Sequence, residues 1–191
     1  IFFVFLNFEN NFSELFLSLT SSISNAGFSL NNSSNNLSFI FLILVIIGGS
    51  FFSTSSGIRF LKIYSLFKYS INEILSYSRP KNIYINKHLF SKDSFKLDEI
   101  YKYFLSVIVF IISLLVLTFL LTLSGIEFES SFKLSILTIM NTVNSSMFGL
   151  SDFSFYDLHF MTKYYLIFFM IVGRLELLTL LIICKKFLFK N

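Results

Sequence analysis

The sequence predicts an all-α integral membrane protein in which one unit, a span, a short re-entrant helix and a second span, occurs twice. Three features carry that expectation: long apolar runs, shorter amphipathic runs that stop at polar stretches, and basic residues gathered on one side of the spans. Of 191 residues, 54% are hydrophobic and 14% charged, and the mean hydropathy is +0.74. An ordinary soluble domain is about a quarter charged, so this chain needs an apolar solvent.

Taken in order, Ile1–Leu6 is apolar but too short to cross a bilayer and reads as the stump of a span. Phe12–Ser22 is a short amphipathic run that ends in hydroxyl residues. Leu37–Phe60 is long enough to span, as are Tyr103–Leu123 and Tyr164–Cys184. Phe132–Asn141 is a second short run, again ending in a polar stretch ahead of a full span. Asp98 and Glu99 suit the start of the helix that carries the second long span, because acidic groups favour a helix N-terminus. The division that follows is residues 1–63 for one unit, 64–101 for a basic loop and 102–191 for the second unit. The chain reads as a C-terminal fragment of a longer protein.

Charge sets the topology. Asn7–Asn36 holds no lysine or arginine, whereas Arg59–Lys102 holds nine. That loop is expected in the cytoplasm with Lys185, Lys186 and Lys190, and Glu127, Glu129, Asp152 and Asp157 are expected outside. The net charge of +4 is thereby explained by topology, and no nucleic-acid partner is expected. Cys184 is the only cysteine, and His88 and His159 have no metal-ligand spacing. No nucleophile and base pair and no paired carboxylates lie within a span, so enzyme chemistry is not expected.

An internal repeat supports the two-unit reading. Phe8-Glu9-Asn10-Asn11-Phe12 is matched by Phe128-Glu129-Ser130-Ser131-Phe132, and each copy leads through a short helix to an Asn-containing stretch and a long apolar span. After the first short helix, Ser21–Ser29 is dense in hydroxyl, amide and glycine and can present backbone carbonyls. Such a strand suits a dehydrated monovalent cation, since Gly27 permits conformations closed to other residues and a helix C-terminus carries partial negative charge. An ordinary polar external loop is the bland alternative. Arg174, inside the last span in Gly173-Arg174-Leu175-Glu176, is a charge that the bilayer makes costly, by roughly 2.5–3.5 kcal/mol on insertion scales. It must therefore face protein, water or a counter-charge. Pairing with Glu176 to hold helices together is the structural alternative to a functional role.

Four motifs in order carry a resemblance: Ser-x-Ser-Asn-Ala-Gly-Phe at Ser22–Phe28, Gly48-Gly49-Ser50 with Ser53–Arg59, Arg79-Pro80, and Gly173-Arg174-Leu175-Glu176. Together the set resembles the Trk/Ktr/HKT cation transporter superfamily, its TrkH branch most closely. The resemblance implies the third and fourth of four helix–pore loop–helix repeats in a potassium, or alternatively sodium, transport subunit. It implies filter residues Ser24, Asn25, Ala26 and Gly27 in one unit and Asn141, Thr142 and Val143 in the other, with the transported K⁺ or Na⁺ as the sole ligand and no cofactor. It implies a gate in the intramembrane loop at Gly48, Gly49, Ser50 and Gly57, and a pore-side charge at Arg174. Implied partners are the missing N-terminal repeats or a second copy, a homodimer mate, a cytosolic nucleotide-binding ring and the lipid of a bacterial inner membrane.

Two departures from the family pattern matter. Asn-x-Gly-Pro-Gly is expected in the last filter, yet the chain reads Asn141-Thr142-Val143-Asn144-Ser145, with Val143 where glycine is expected. An ungapped alignment of the two pentapeptides sets Met147 opposite Gly27 instead. Ser55 and Ser56 replace glycines of the gate loop, which implies a stiffer loop. The degenerate filter leaves a second reading, a non-conducting scaffold or regulatory subunit.

Overall fold

The computed structural model describes residues 12–28, 35–47, 60–78, 97–142, 146–150, 154–156, 158–174 and 186. These residues form six α-helices: α1 (Phe12–Ile23), α2 (Asn35–Ile47), α3 (Phe60–Ser78), α4 (Leu97–Leu123), α5 (Phe128–Met140) and α6 (Phe160–Arg174), with a 3₁₀ turn at Ser146–Phe148. Gly48, Gly49, Ser50 and Gly57 of the expected gate, and Val143 of the expected filter, lie outside the described residues.

Helix α4 is the long span. It begins at Leu97, ahead of the acidic pair that marks its start in the sequence, and its 27 residues reach about 40 Å at 1.5 Å per residue, enough to cross a bilayer. Phe110, Leu114, Leu117 and Leu121 recur at helical spacing and are buried, while Leu105, Ile112, Leu115 and Phe119 face outward. Only 33% of its most apolar stretch is buried, the inverse of a soluble core helix. Apolar surface on this scale, shown to the outside, is what lipid covers. Among the described residues α4 alone is long and apolar enough to cross by itself; the described apolar part of α2, Ser38–Ile47, is shorter, as are the 15 residues of α6.

Helix α5 occupies the centre and packs on α2, α4 and α6, while α1 packs on α2. Leu15 and Leu19 of α1, Phe41 and Val45 of α2, Leu117 and Leu121 of α4, Leu137 and Met140 of α5, and Leu166 and Phe169 of α6 belong to one apolar cluster. Met147 and Phe148, in the turn after α5, are fully buried in that cluster against α2. The buried hydroxyls of Ser135 and Thr138 in α5 are satisfied within helices, as a membrane interior demands. Ser135 Oγ donates to the Ser131 carbonyl at 2.7 Å, Thr138 Oγ1 to the Leu134 carbonyl at 2.7 Å, and Thr118 Oγ1 reaches across from α4 to Ser135 Oγ at 3.1 Å.

Residues 64–101, read in the sequence as a basic loop, begin with most of α3. This helix packs on α4, with Ser65 buried and Lys62 Nζ donating to Ser106 Oγ at 3.3 Å. Ile63 packs against the apolar cluster, whereas Phe67, Ile71, Ile74, Leu75 and Tyr77 are exposed.

Candidate functional site

The two short helices, α1 and α5, end in the same way. After α1, Asn25 takes the left-handed conformation at φ 59, and after α5 Asn141 takes it at φ 54. The Asn25 N–H donates to the Ser22 carbonyl at 3.2 Å and the Ala26 N–H to the Ser21 carbonyl at 2.9 Å. At the other end of the molecule's sequence, the Asn141 N–H donates to the Thr138 carbonyl at 3.1 Å and the Thr142 N–H to the Leu137 carbonyl at 2.9 Å. Both are Schellman closures, in which a left-handed residue reverses the chain and two N–H groups satisfy carbonyls of the last turn. Each helix therefore ends abruptly, with its chain turned into the polar stretch that the sequence singles out.

This match fixes the register between the units. Asn141 stands opposite Asn25, and Phe128, the first residue of α5, opposite Phe12, the first of α1. The sequence pairing of Phe128 with Phe8 is thus one helical turn out. In the structural register Val143 is the residue opposite Gly27 by sequence position, and Met147 is not; its side chain is fully buried in the apolar cluster. Phenylalanine recurs at a one-turn spacing, at Phe8, Phe12 and Phe16 and at Phe128 and Phe132, and misleads an ungapped alignment because residues four apart share a helix face.

Beyond the first cap, Gly27 has φ 79, a conformation that favours glycine. Its N–H points back to the Ser21 carbonyl at 3.4 Å, and the Phe28 N–H donates to Ser21 Oγ at 2.6 Å. Three successive N–H groups, from Ala26 to Phe28, are thereby gathered onto Ser21. Ser24 is exposed, Ala26 half-buried, and Asn25 and Gly27 buried. Beyond the second cap, Thr142 is 5% exposed, and its Oγ1 is the one buried side-chain polar atom lacking a hydrogen-bond partner among the described residues. A cavity of about 330 Å³ beside it is lined by Thr138, Asn141, Thr142, Phe155 and Met170 together with two leucines of α5.

The side chains of the two asparagines reach the α-helix that follows each short one. Asn141 Nδ2 donates to the Met170 carbonyl of α6 at 3.0 Å. Asn25 Nδ2, in the amide orientation its surroundings require, donates to the Val45 carbonyl of α2 at 3.1 Å and to the Ser22 carbonyl at 3.2 Å. Neither contact is legible in the sequence, where both residues read as filter amides.

Gly173 is a further residue whose role the sequence conceals. A Cβ there would overlap the Ile139 carbonyl oxygen, so α6 lies directly on the backbone of α5 near its end. The sequence sign was a small residue among bulky ones in a span, the usual mark of close helix approach in membranes. Arg174 follows it as the last residue of α6, and its side chain is exposed on this chain. Glu176, its proposed ion-pair partner, lies outside the described residues. Separately, an open apolar groove of about 640 Å³ runs between α2 and α5, with the Glu129–Lys133 ion pair (2.6 Å) at its lining.

Comparison with known proteins accounts for this architecture. The fold matches the crystal structure of the potassium transporter TrkH from Vibrio parahaemolyticus with a TM-score of 0.77 and 23% sequence identity, over 90% of this chain and 36% of that chain. The chain thus spans about a third of that transporter's length. No curated protein sequence matches it. Residues 6–189, nearly the whole chain, match the family described as TrkH, cation transport protein, and the chain belongs to that family.

Proposed function

We propose that this chain forms part of the pore of a Trk-type uptake system that passes K⁺, or alternatively Na⁺, down its electrochemical gradient. The observation that carries the reading is the matched pair of helix ends, each closing on a left-handed asparagine and leading into a polar strand. Carbonyls along 24–27 and 141–143 would replace the hydration shell of a monovalent cation. Gathering the Ala26, Gly27 and Phe28 N–H groups onto Ser21 leaves the carbonyls of that strand to the ion. The Thr142 hydroxyl, buried and unpartnered among the described residues, fits a position where a passing cation supplies the missing partner.

In this reading the family's gate falls at Gly48, Gly49, Ser50 and Gly57, and Arg174 sits below the filter as a fixed charge that limits cation occupancy. Two units do not encircle an ion, so further pore repeats or a second copy complete the ring. The membrane is a bacterial inner membrane, with the basic loop inside. A homodimer and a cytosolic nucleotide-binding ring are the assembly this implies.

A radiolabelled K⁺ and Na⁺ flux assay on the full-length protein in liposomes tests the reading, with uptake above protein-free liposomes as the expected result. Arg174→Ala is expected to change flux or selectivity while the protein still purifies as a single folded species. Unchanged transport in that variant removes the arginine from the pathway.

One observation favours a second reading, a non-conducting scaffold or regulatory subunit. The register set by the caps places valine opposite Gly27, and a β-branched residue resists the left-handed conformations a glycine supplies. Flux that appears only in Val143→Gly would establish this reading over the first.

A further inference from the structure

Glycine is the least strained residue for the left-handed position that ends a helix, and asparagine is the less common choice. This chain uses asparagine at both short-helix ends, although it uses glycine at φ 88 in the turn after α4. The difference is explained by what the two amides do. Each reaches out of its own unit's short helix to a backbone carbonyl of the following helix, at 3.0 Å from Asn141 to Met170 and 3.1 Å from Asn25 to Val45. A carbonyl already engaged in a helix retains a second lone pair for such a donor.

We infer that Asn25 and Asn141 are a matched pair of positioning residues that clamp the start of each filter strand to the helix behind it. Each amide stands two residues before the position read as the filter centre, Gly27 in one unit and Val143 in the other. Each clamp therefore holds the strand at its root, where a small displacement changes the radius at which the carbonyls meet an ion. The second clamp has a further reach. In the α-helical pattern the Met170 carbonyl accepts the N–H of Arg174, so Asn141 shares an acceptor with the residue that carries the pore-side charge. The effect on transport rests on the pore reading above, whereas the clamp itself rests on the geometry alone.

Asn→Gly at each position is the informative variant, because glycine keeps the left-handed backbone and removes only the amide. Two measurements on purified full-length protein separate the two claims. In amide hydrogen exchange, Asn141→Gly is expected to speed exchange in the segment from residue 141 onward, and Asn25→Gly in residues 25–28, each by about three- to tenfold, the range one such hydrogen bond carries. Exchange unchanged in both variants overturns the clamp. In proteoliposomes, the ratio of Na⁺ to K⁺ flux is expected to shift by a similar factor in each variant. A ratio that stays at the unsubstituted value in both variants overturns the positioning role. Variants that fail to fold do the same, since they make the asparagines purely structural. Absence of flux from the unsubstituted protein instead overturns the pore reading, and the exchange result still decides the clamp.

Discussion

The two short helices end alike but are held differently. Every residue of α5 from Leu134 to Met140 is buried, because α2, α4 and α6 all lie against it. Helix α1 packs on α2 and leaves Phe16 55% exposed and Leu17 and Ile23 outward. Yet the cap distances differ by no more than 0.1 Å between the two ends, as 3.2 and 2.9 Å in one and 3.1 and 2.9 Å in the other. The cap is therefore written locally, by an asparagine that tolerates the left-handed conformation, and does not depend on how tightly the helix is packed. Packing decides something else, namely how firmly each capped end is pinned to its surroundings.

The strongest way to break this comparison is at Gly173, where the second unit is packed most closely. Gly173→Ala places a methyl against the Ile139 carbonyl, a backbone atom that has no rotamer with which to yield. The expected loss is roughly 3 kcal/mol, read as a lowered midpoint in thermal unfolding of the detergent-solubilised protein. A variant as stable as the parent would mean that α6 does not lie on α5. The next effect has the opposite sign. Thr142→Val keeps shape and removes the unpartnered hydroxyl, and is expected to raise stability by about 1–2 kcal/mol in cation-free buffer. If the cation is the missing partner, the same variant loses the stabilisation that added K⁺ gives the parent. At the first unit Ala26 stands opposite Thr142, so Ala26→Ser sharpens the comparison by placing a hydroxyl at the first cap.

The smallest effect concerns the ion pair in the first turns of the second short helix. Lys133 bonds Glu129 and holds its carboxyl below the usual carboxylate range, first by the hydrogen bond and then by charge. A depressed value means that the contribution to stability is present above the ordinary carboxylate pKa and fades as pH falls through the lowered one. Glu129 is exposed, so solvent screens most of it. Lys133→Gln is expected to flatten a slight acid-side slope in the pH profile of unfolding and to leave neutral stability nearly unchanged.

Much of the fold was legible because the bilayer imposes period and length on a sequence. The first short helix, expected at Phe12–Ser22, runs Phe12–Ile23, and the long span expected at Tyr103–Leu123 lies within α4. The second short helix starts at Phe128, ahead of the expected Phe132, because Ser131 and Ser135 bond backbone carbonyls and so are at home in a helix. Helix α3 was obscured by its lysines, which spoke for topology and drew attention from the apolar residues between them. Within the candidate site the residues were legible and their tasks were not. Asn25 and Asn141 read as filter amides, but an amide's partner on another helix has no signature in the sequence. Gly173 read as the companion of a conspicuous arginine, and only the three-dimensional approach of α5 shows why nothing larger fits.

That approach has a mechanical consequence. Successive residues of an α-helix are set about 100° apart around its axis. With Gly173 pressed edge-on to the Ile139 carbonyl and the Met170 carbonyl held by Asn141, the azimuth of α6 is locked at two points, one on each side of a single turn. Arg174 leaves the helix at a bearing set by that lock. Helix α6 cannot roll to swing its charge aside without dragging the end of α5 with it. The end of α5 and the Arg174 end of α6 therefore move as one rigid piece.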